Sequence, residues 1–212
     1  MENIAATILD ETSDLEGVKH LVDIPGLSSP RVCHLLNRLV AGMGPGERYL
    51  EIGTYKGRTL LSAAHGNKGK ICYACDKFRL WGKHTGFGFE VRHTLKRNVE
   101  RYKATSAEIR FFDMTSRALF DGRHVQGPIG VYFYDGDHTA RGTHHGVVAA
   151  APLLAHRSIL VMDDWNDPVI QRATYAGIVD AGLDIIWERH LKGDHSERGW
   201  WNGIGVFYLE KR

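Results

Sequence analysis

Acidic residues recur in this chain at one kind of place, the end of a short apolar run. Glu51 stands near the end of Tyr49-Leu50-Glu51-Ile52, Asp76 follows Ile71 to Cys75, and Asp113 follows Ile109 to Phe112. Asp135 follows Ile129 to Tyr134, and the pair Asp163-Asp164 follows Ile159 to Met162. Carboxylates at strand ends accept hydrogen bonds from ribose hydroxyls, offer hard oxygen ligands to Mg²⁺ or Ca²⁺, or take up a proton. The run Asp135-Gly136-Asp137-His138-Thr139 adds an imidazole, whose ordinary pKa lies near neutrality. His138 is therefore the first candidate for a general base, and Asp137 is placed to orient it or to act as the base itself. The plain alternatives are that these carboxylates are solvated strand caps and that His138 with Thr139 caps the next helix. His144 and His145 rank below His138, because a lone histidine on a helix is usually structural or solvated.

A glycine turn accompanies the first of these acids. Gly53-Thr54-Tyr55-Lys56-Gly57 follows Glu51-Ile52 and precedes the apolar run Leu60, Leu61, Ala63, Ala64. A strand, a glycine turn and a helix start gather backbone N–H groups around a ligand. A dinucleotide site would need G-x-G-x-x-G, but Tyr55 stands where the middle glycine must admit pyrophosphate. A P-loop would need G-x-x-x-x-G-K-[ST]; the spacing here is one residue short, and Arg58-Thr59 replaces the Lys-[ST] pair.

The elements that must position these groups alternate between strand and helix. Strands are expected near residues 48–52, 70–75, 108–112, 129–134, 158–162, 183–189 and 203–209, with helices near 59–65, 90–102, 139–154 and from 168 onward. Ser29 caps an earlier helix with Pro30 at its first position and Gly42 beyond its end. A weaker helical pattern occupies residues 3–22, broken near Thr12-Ser13-Asp14. The expected fold is α/β: a doubly wound, mostly parallel Rossmann-like sheet with an antiparallel edge strand, preceded by N-terminal helices. Residues 1–46 form the helical extension and 47–212 the principal domain. The leading helices are expected to pack near the ligand edge or to make a subunit contact, so a homodimer is an expectation.

Composition narrows the function. The 212 residues are 43% hydrophobic and 25% charged, with a net charge of +2, which gives no strong attraction to nucleic acid or an anionic membrane. No secretory leader or membrane-length apolar run is apparent, so a cytoplasmic location is expected. Cys72 and Cys75 form a C-x-x-C, but on a strand these positions face opposite sides, which favours two core cysteines over a redox or zinc pair.

The sequence E-x-G-x-x-x-G at Glu51, Gly53 and Gly57, with the acidic strand ends, resembles class I S-adenosylmethionine-dependent methyltransferases. Over residues 47 to 209 it is similar to bacterial small-molecule O-methyltransferases of the macrocin and catechol types. The resemblance implies that Gly53 and Gly57 let the backbone turn against the methionine end of the cofactor. Glu51 lies beside that turn, and Thr54, Tyr55, Thr59 and Lys77 belong to the cofactor site. It further implies that Asp76 receives the ribose hydroxyls, that Asp113 meets the adenine amino group, and that Asp135 contacts the cofactor. Asp135, Asp163 and Asp164 match the metal ligands of magnesium-dependent relatives, although the catechol branch has Asn at the position of Asp164. The implied activity is methyl transfer to a small molecule, a sugar, phenol or other hydroxyl compound, with Mg²⁺ or Ca²⁺ assistance and His138, Asp135 and Asp137 as catalytic candidates. A nucleotide-dependent oxidoreductase and a non-catalytic cofactor-binding protein are the alternatives from other classes. Two loops rich in glycine, aromatics and basic residues, 77–89 and 192–201, are expected to shape the acceptor pocket; the second is equally placed for a dimer contact.

Overall fold

The computed structural model describes residues 23–78, 85–196 and 198–212, with the side chains of residues 85–87 excepted. The helical pattern in residues 3–22 and the central part of the first aromatic loop lie outside the described residues. In chain order the elements are α1 (Pro30–Ala41), β1 (Arg48–Ile52), α2 (Arg58–Ala64), β2 (Ile71–Asp76) and α3 (Thr85–Tyr102). Then come β3 (Glu108–Asp113), α4 (Ser116–Asp121), β4 (Ile129–Tyr134), α5 (Ala140–Ala150) and a 3-10 turn (Ala151–Leu153). The last four are β5 (Leu154–Met162), α6 (Pro168–Asp180), β6 (Leu183–Leu191) and β7 (Ile204–Lys211).

The strands form one seven-stranded sheet in the order β3-β2-β1-β4-β5-β7-β6. The pairs β1–β2, β2–β3, β1–β4 and β4–β5 are parallel. β7 runs antiparallel to both β5 and β6. The expected antiparallel pair therefore sits at that edge, with the reversed strand one place in and β6 outermost. The mostly parallel Rossmann-like sheet with flanking helices agrees with the expectation from sequence.

Strand alternation divides the core into two layers. Tyr49, Cys72, Val131, Phe133 and Val161 pack on one face with α1 and α2 residues such as Leu36 and Leu60. Leu50, Ile52, Cys75, Tyr132, Tyr134 and Leu160 pack on the other, with Val147 of α5 and Ile170 of α6. Cys72 and Cys75 thus lie on opposite faces, both buried and free.

Caps explain the helix starts. Ser29 accepts the N–H of Val32 at 3.3 Å, and Pro30 occupies the first turn of α1. Asp167 accepts the N–H of Val169 at 2.7 Å ahead of Pro168. The short α4 is an element the periodicity does not reveal, because its single buried residue is Leu119. Its start is marked only by Thr115, which accepts from Ala118 N–H at 3.1 Å. No helix among the described residues is long and apolar enough to cross a membrane.

Candidate functional site

Strand order reverses between β1 and β4: β2 and β3 follow β1 on one side, β4 and β5 lie on the other. In an open α/β sheet the carboxyl ends of the strands at such a point leave a crevice. A cavity of about 950 Å³ lies there, lined from the ends of β1, β2, β4 and β5 and by residues 26–28 and 201–202.

The glycine turn forms its floor. Gly53 has φ +91° and donates to Cys75 O at 2.9 Å, while Asp135 N–H donates to Ile52 O at 2.8 Å. A Cβ on Gly53 would run into the Asp135 carbonyl oxygen, so the loops after β1 and β4 cross only because this residue has no side chain. Gly57, at φ +88°, starts α2, and a Cβ there would meet the Leu95 side chain. Tyr55 is left-handed at φ +47°, and its N–H donates to Asp76 Oδ2 at 2.6 Å. Burial raises the Asp76 carboxyl from its ordinary value, opposed by the N–H groups of Tyr55, Thr54 and Lys77.

Glu51 lies beneath this turn and does not line the cavity. Residues 49 and 51 share a strand face, so Tyr49 OH donates to Glu51 Oε2 at 2.7 Å, and Thr59 OH donates to Oε1 at 3.1 Å. The carboxyl is fully buried, which pushes its pKa up to about 8 despite these two donors.

The other part of the site is acidic. Strands in a sheet are about 4.8 Å apart, so Asp76 on β2 and Asp163 beyond β5, three strands away, are separated by on the order of 14 Å along the edge. His138 sits among the acids with Nδ1 at 2.6 Å from Asp164 and Nε2 at 3.3 Å from Asp135. The hydrogen bonds to Asp135 and Asp164 raise its pKa to about 10, outweighing desolvation. Burial raises Asp135 to about 6, and it raises Asp163 well above the usual carboxylate range, where Asp135 and Asp164 add repulsion. Burial also acts upward on Asp164, but the hydrogen bonds of His138 and Asn202 bring it below its ordinary value. The Asp137 carboxylate accepts Thr139 N–H at 3.1 Å at the start of α5.

Two segments distant in sequence complete the walls. Gly26, Leu27 and Ser28 reach the cavity from before α1, where Gly26 O accepts from Arg58 at 3.4 Å. From the β6–β7 loop come Trp201 and Asn202. Asn202 Nδ2 donates to Asp164 Oδ1 at 2.8 Å, and Asn202 O accepts from Asn166 N–H at 3.0 Å. Asp164 (φ +53°) and Trp201 (φ +55°) are both left-handed, as Tyr55 is, a backbone form that accumulates where surroundings over-determine a site. Arg31 lies 6.0 Å from the ring centroid of Trp200, which joins this loop to α1.

A divalent cation at Asp135, Asp163 and Asp164 does not fit the side chains as they stand. The imidazole of His138 bridges Asp135 and Asp164, where a cation would sit, and supplies positive charge to both. Among the described residues, no group of three or more His, Cys, Asp or Glu is arranged to hold a metal ion. The expected Mg²⁺ or Ca²⁺ site is not supported by this arrangement.

Of the residues expected from the sequence, Gly53, Thr54, Tyr55, Thr59, Asp76, Lys77, Asp135, Asp137, His138, Asp163 and Asp164 line the one cavity. Glu51 and Gly57 support it from outside. Asp113 does not line it; its carboxylate pairs with Arg92 at 3.0 Å, and Met114 and Ser116 reach the cavity instead. Leu27, Ser28, Arg58, Met114, Ser116 and Asn202 are cavity residues that sequence reasoning missed. The strand-end acids carry a signal in the sequence, whereas these residues arrive by packing of distant loops.

Comparison with known proteins identifies the family. The model of a family described as methyltransferase domain matches residues 50–165. No curated protein matches the chain. Among solved structures, the chain is similar to an O-methyltransferase from Bacillus cereus in complex with SAH, at 18% identity and a TM-score of 0.62, covering 98% of this chain and 91% of that one. It is similar to TrmN from Thermus thermophilus, at 18% identity and a TM-score of 0.64, covering 92% of this chain but 53% of that one, so it spans about half the length of TrmN. A candidate RNA methyltransferase from Pyrococcus horikoshii gives 13% identity and a TM-score of 0.53, covering 99% and 97%. At these identities the likeness to the solved structures is one of fold.

Proposed function

The chain belongs to the methyltransferase-domain family, of the class I S-adenosylmethionine-dependent kind, and from that membership we propose that it methylates a hydroxyl oxygen of a small-molecule acceptor. The observation that carries the proposal is the division of one cavity between a glycine turn with Asp76 and a cluster of His138 with Asp135 and Asp164. The first part has the features of a cofactor cradle, and the second those of a proton-handling centre.

S-adenosylmethionine, when bound, supplies an electrophilic methyl group on a sulfonium. Asp76, its position fixed by Tyr55 N–H, would accept hydrogen bonds from the ribose hydroxyls. Of the cavity-lining residues, Thr54, Tyr55 and Thr59 would hold the methionine end and Lys77, Met114 and Ser116 the adenosine end. Asp164 holds the His138 ring through Nδ1, the shorter contact. Nε2 makes the longer contact, to Asp135, and an acceptor hydroxyl that displaces Asp135 takes its place. The ring must first give its Nε2 proton to solvent, a loss that its raised pKa shifts to higher pH; it then receives the acceptor proton at Nε2, with Asp164 steadying the charge that forms. Beyond this, the protein aligns oxygen with the methyl group and excludes water.

Calorimetric titration with S-adenosylmethionine, S-adenosylhomocysteine, NADH and ATP tests the cofactor. Binding of NADH or ATP without either adenosyl compound would overturn the reading. Transfer of labelled methyl to a hydroxyl panel tests the reaction, and transfer only to amines would replace oxygen by nitrogen as the acceptor atom.

A further inference from the structure

We propose that the part of the cavity beyond β4 and β5 is an acceptor pocket for a compact hydroxylated ring carrying no negative charge, with Trp201 as its specificity-determining wall. The proposal rests on the methyltransferase reading and adds the substrate class to it. Size is the first observation. Small-molecule sites occupy roughly 300–1,000 Å³, and about 950 Å³ lies at the upper end, room for a second small molecule beside the cofactor.

Charge is the second. Where Asp76 and Asp163 are three strands apart, a cofactor seated on Asp76 leaves the β4–β5 end to the acceptor. Three carboxyls, of Asp135, Asp163 and Asp164, gather there around one imidazole. A phosphate or carboxylate brought among them meets like charge in a poorly solvated space. The basic lining residues Arg58 and Lys77 belong instead to the start of α2 and to the residue after β2. This arrangement disfavours a polyanion such as RNA and suits an uncharged or aminated ring.

The third observation is the wall. Trp201 is half-buried and left-handed, a strained conformation that persists only where neighbours impose it. Asn202 tied to Asp164, and Trp165 N–H donating to Gly203 O at 3.0 Å, fix the backbone on its C-terminal side. A large indole held in this way gives an acceptor a flat apolar surface. Leu27, 53% exposed, lines the same cavity from the segment before α1.

The test uses the full chain loaded with S-adenosylhomocysteine. Acceptor binding is measured by calorimetry for a phenol, an amino sugar, the phosphorylated counterpart of each, and a short oligoribonucleotide. The phenol and amino-sugar arms distinguish the two sources of a hydroxylated ring. At least one uncharged or aminated ring should bind, and its phosphorylated counterpart should bind at least tenfold more weakly. Trp201→Ala should raise the acceptor KM at least tenfold and leave S-adenosylhomocysteine affinity within twofold, and Trp201→Phe should recover most of the loss. Equal or tighter binding of the phosphorylated rings or the oligoribonucleotide, or an unchanged KM in Trp201→Ala, overturns the proposal. Failure of S-adenosylhomocysteine itself to bind overturns the methyltransferase reading instead, so the two failures are distinct.

Discussion

Nδ1 of His138 lies 2.6 Å from an oxygen of Asp164, closer than Nε2 lies to Asp135 at 3.3 Å. Asp164 therefore sets the orientation of the ring, and in the proposed reaction Nε2 is the nitrogen that meets the acceptor. His138→Ala is expected to lower kcat by about 10²–10⁴-fold, the usual worth of a positioned general base. Asp164→Asn should lower kcat by a similar order with little change in S-adenosylmethionine affinity. Steady-state kinetics alongside calorimetry separates the two effects.

The same pair gives the rate a pH dependence of definite sign. Hydrogen bonds to Asp135 and Asp164 raise His138 to about 10, so at neutral pH the ring is protonated and cannot accept. Turnover should climb as pH rises above 7 instead of levelling near the ordinary histidine pKa. In Asp164→Asn one raising partner is gone, so the climb should begin at lower pH and reach a lower plateau. A profile of kcat/KM that is flat above pH 7 in the native protein would refute this role for His138.

Glu51 predicts a pH dependence of stability. Burial holds its pKa near 8, against 4.5 for a free glutamate, so the folded chain keeps a proton that the unfolded chain releases. Stability is then fullest below pH 4.5 as far as this group is concerned, declines between 4.5 and 8, and settles at a lower level above 8. The change is on the order of a few kcal/mol. Glu51→Gln has no charge to bury, and its urea midpoint should lose this component of the slope between about pH 5 and 8.

Gly53→Ala should be far more damaging than the loss of any surface glycine. Its Cβ would strike the Asp135 carbonyl, and its φ of +91° is unfavourable for alanine. Separation of the two loops should abolish S-adenosylmethionine binding and lower the thermal midpoint. Gly66→Ala, also at positive φ but with open space around its Cβ, is the control and should bind normally.

Asp76→Asn should weaken S-adenosylmethionine by roughly tenfold to a hundredfold, since hydrogen bonds to a charged group contribute about 1.5–3 kcal/mol. Part of that loss comes from a looser turn, because Tyr55 N–H loses its carboxylate acceptor. Calorimetry with S-adenosylhomocysteine measures it without turnover.

What the sequence made legible follows from local rules. Acids at the ends of parallel strands, glycines in the turn after β1, and Ser29-Pro30 and Asp167-Pro168 at helix starts each carry their reason within a few residues. The insertion of β7 between β5 and β6 depends on pairing across the sheet, and no local pattern encodes it. Asn202 looks like an ordinary loop residue until the fold brings it to Asp164. The bridging of Asp135 and Asp164 by His138 is likewise a matter of side-chain geometry, which is why the three acids suggested a cation from sequence alone.

The position of β7 also has a consequence for how the protein is made. β6 is paired in the sheet only through β7, although β7 comes later in the chain. During synthesis, β6 therefore waits without its partner until residues 204–211 are available. The loop carrying Trp201 and Asn202 is pinned at both ends only when that last strand inserts beside β5. Completion of the acceptor wall is thus coupled to one of the final, long-range steps of folding. A chain stopped before β7 would lack the strand that anchors this loop, and with it the proposed acceptor wall.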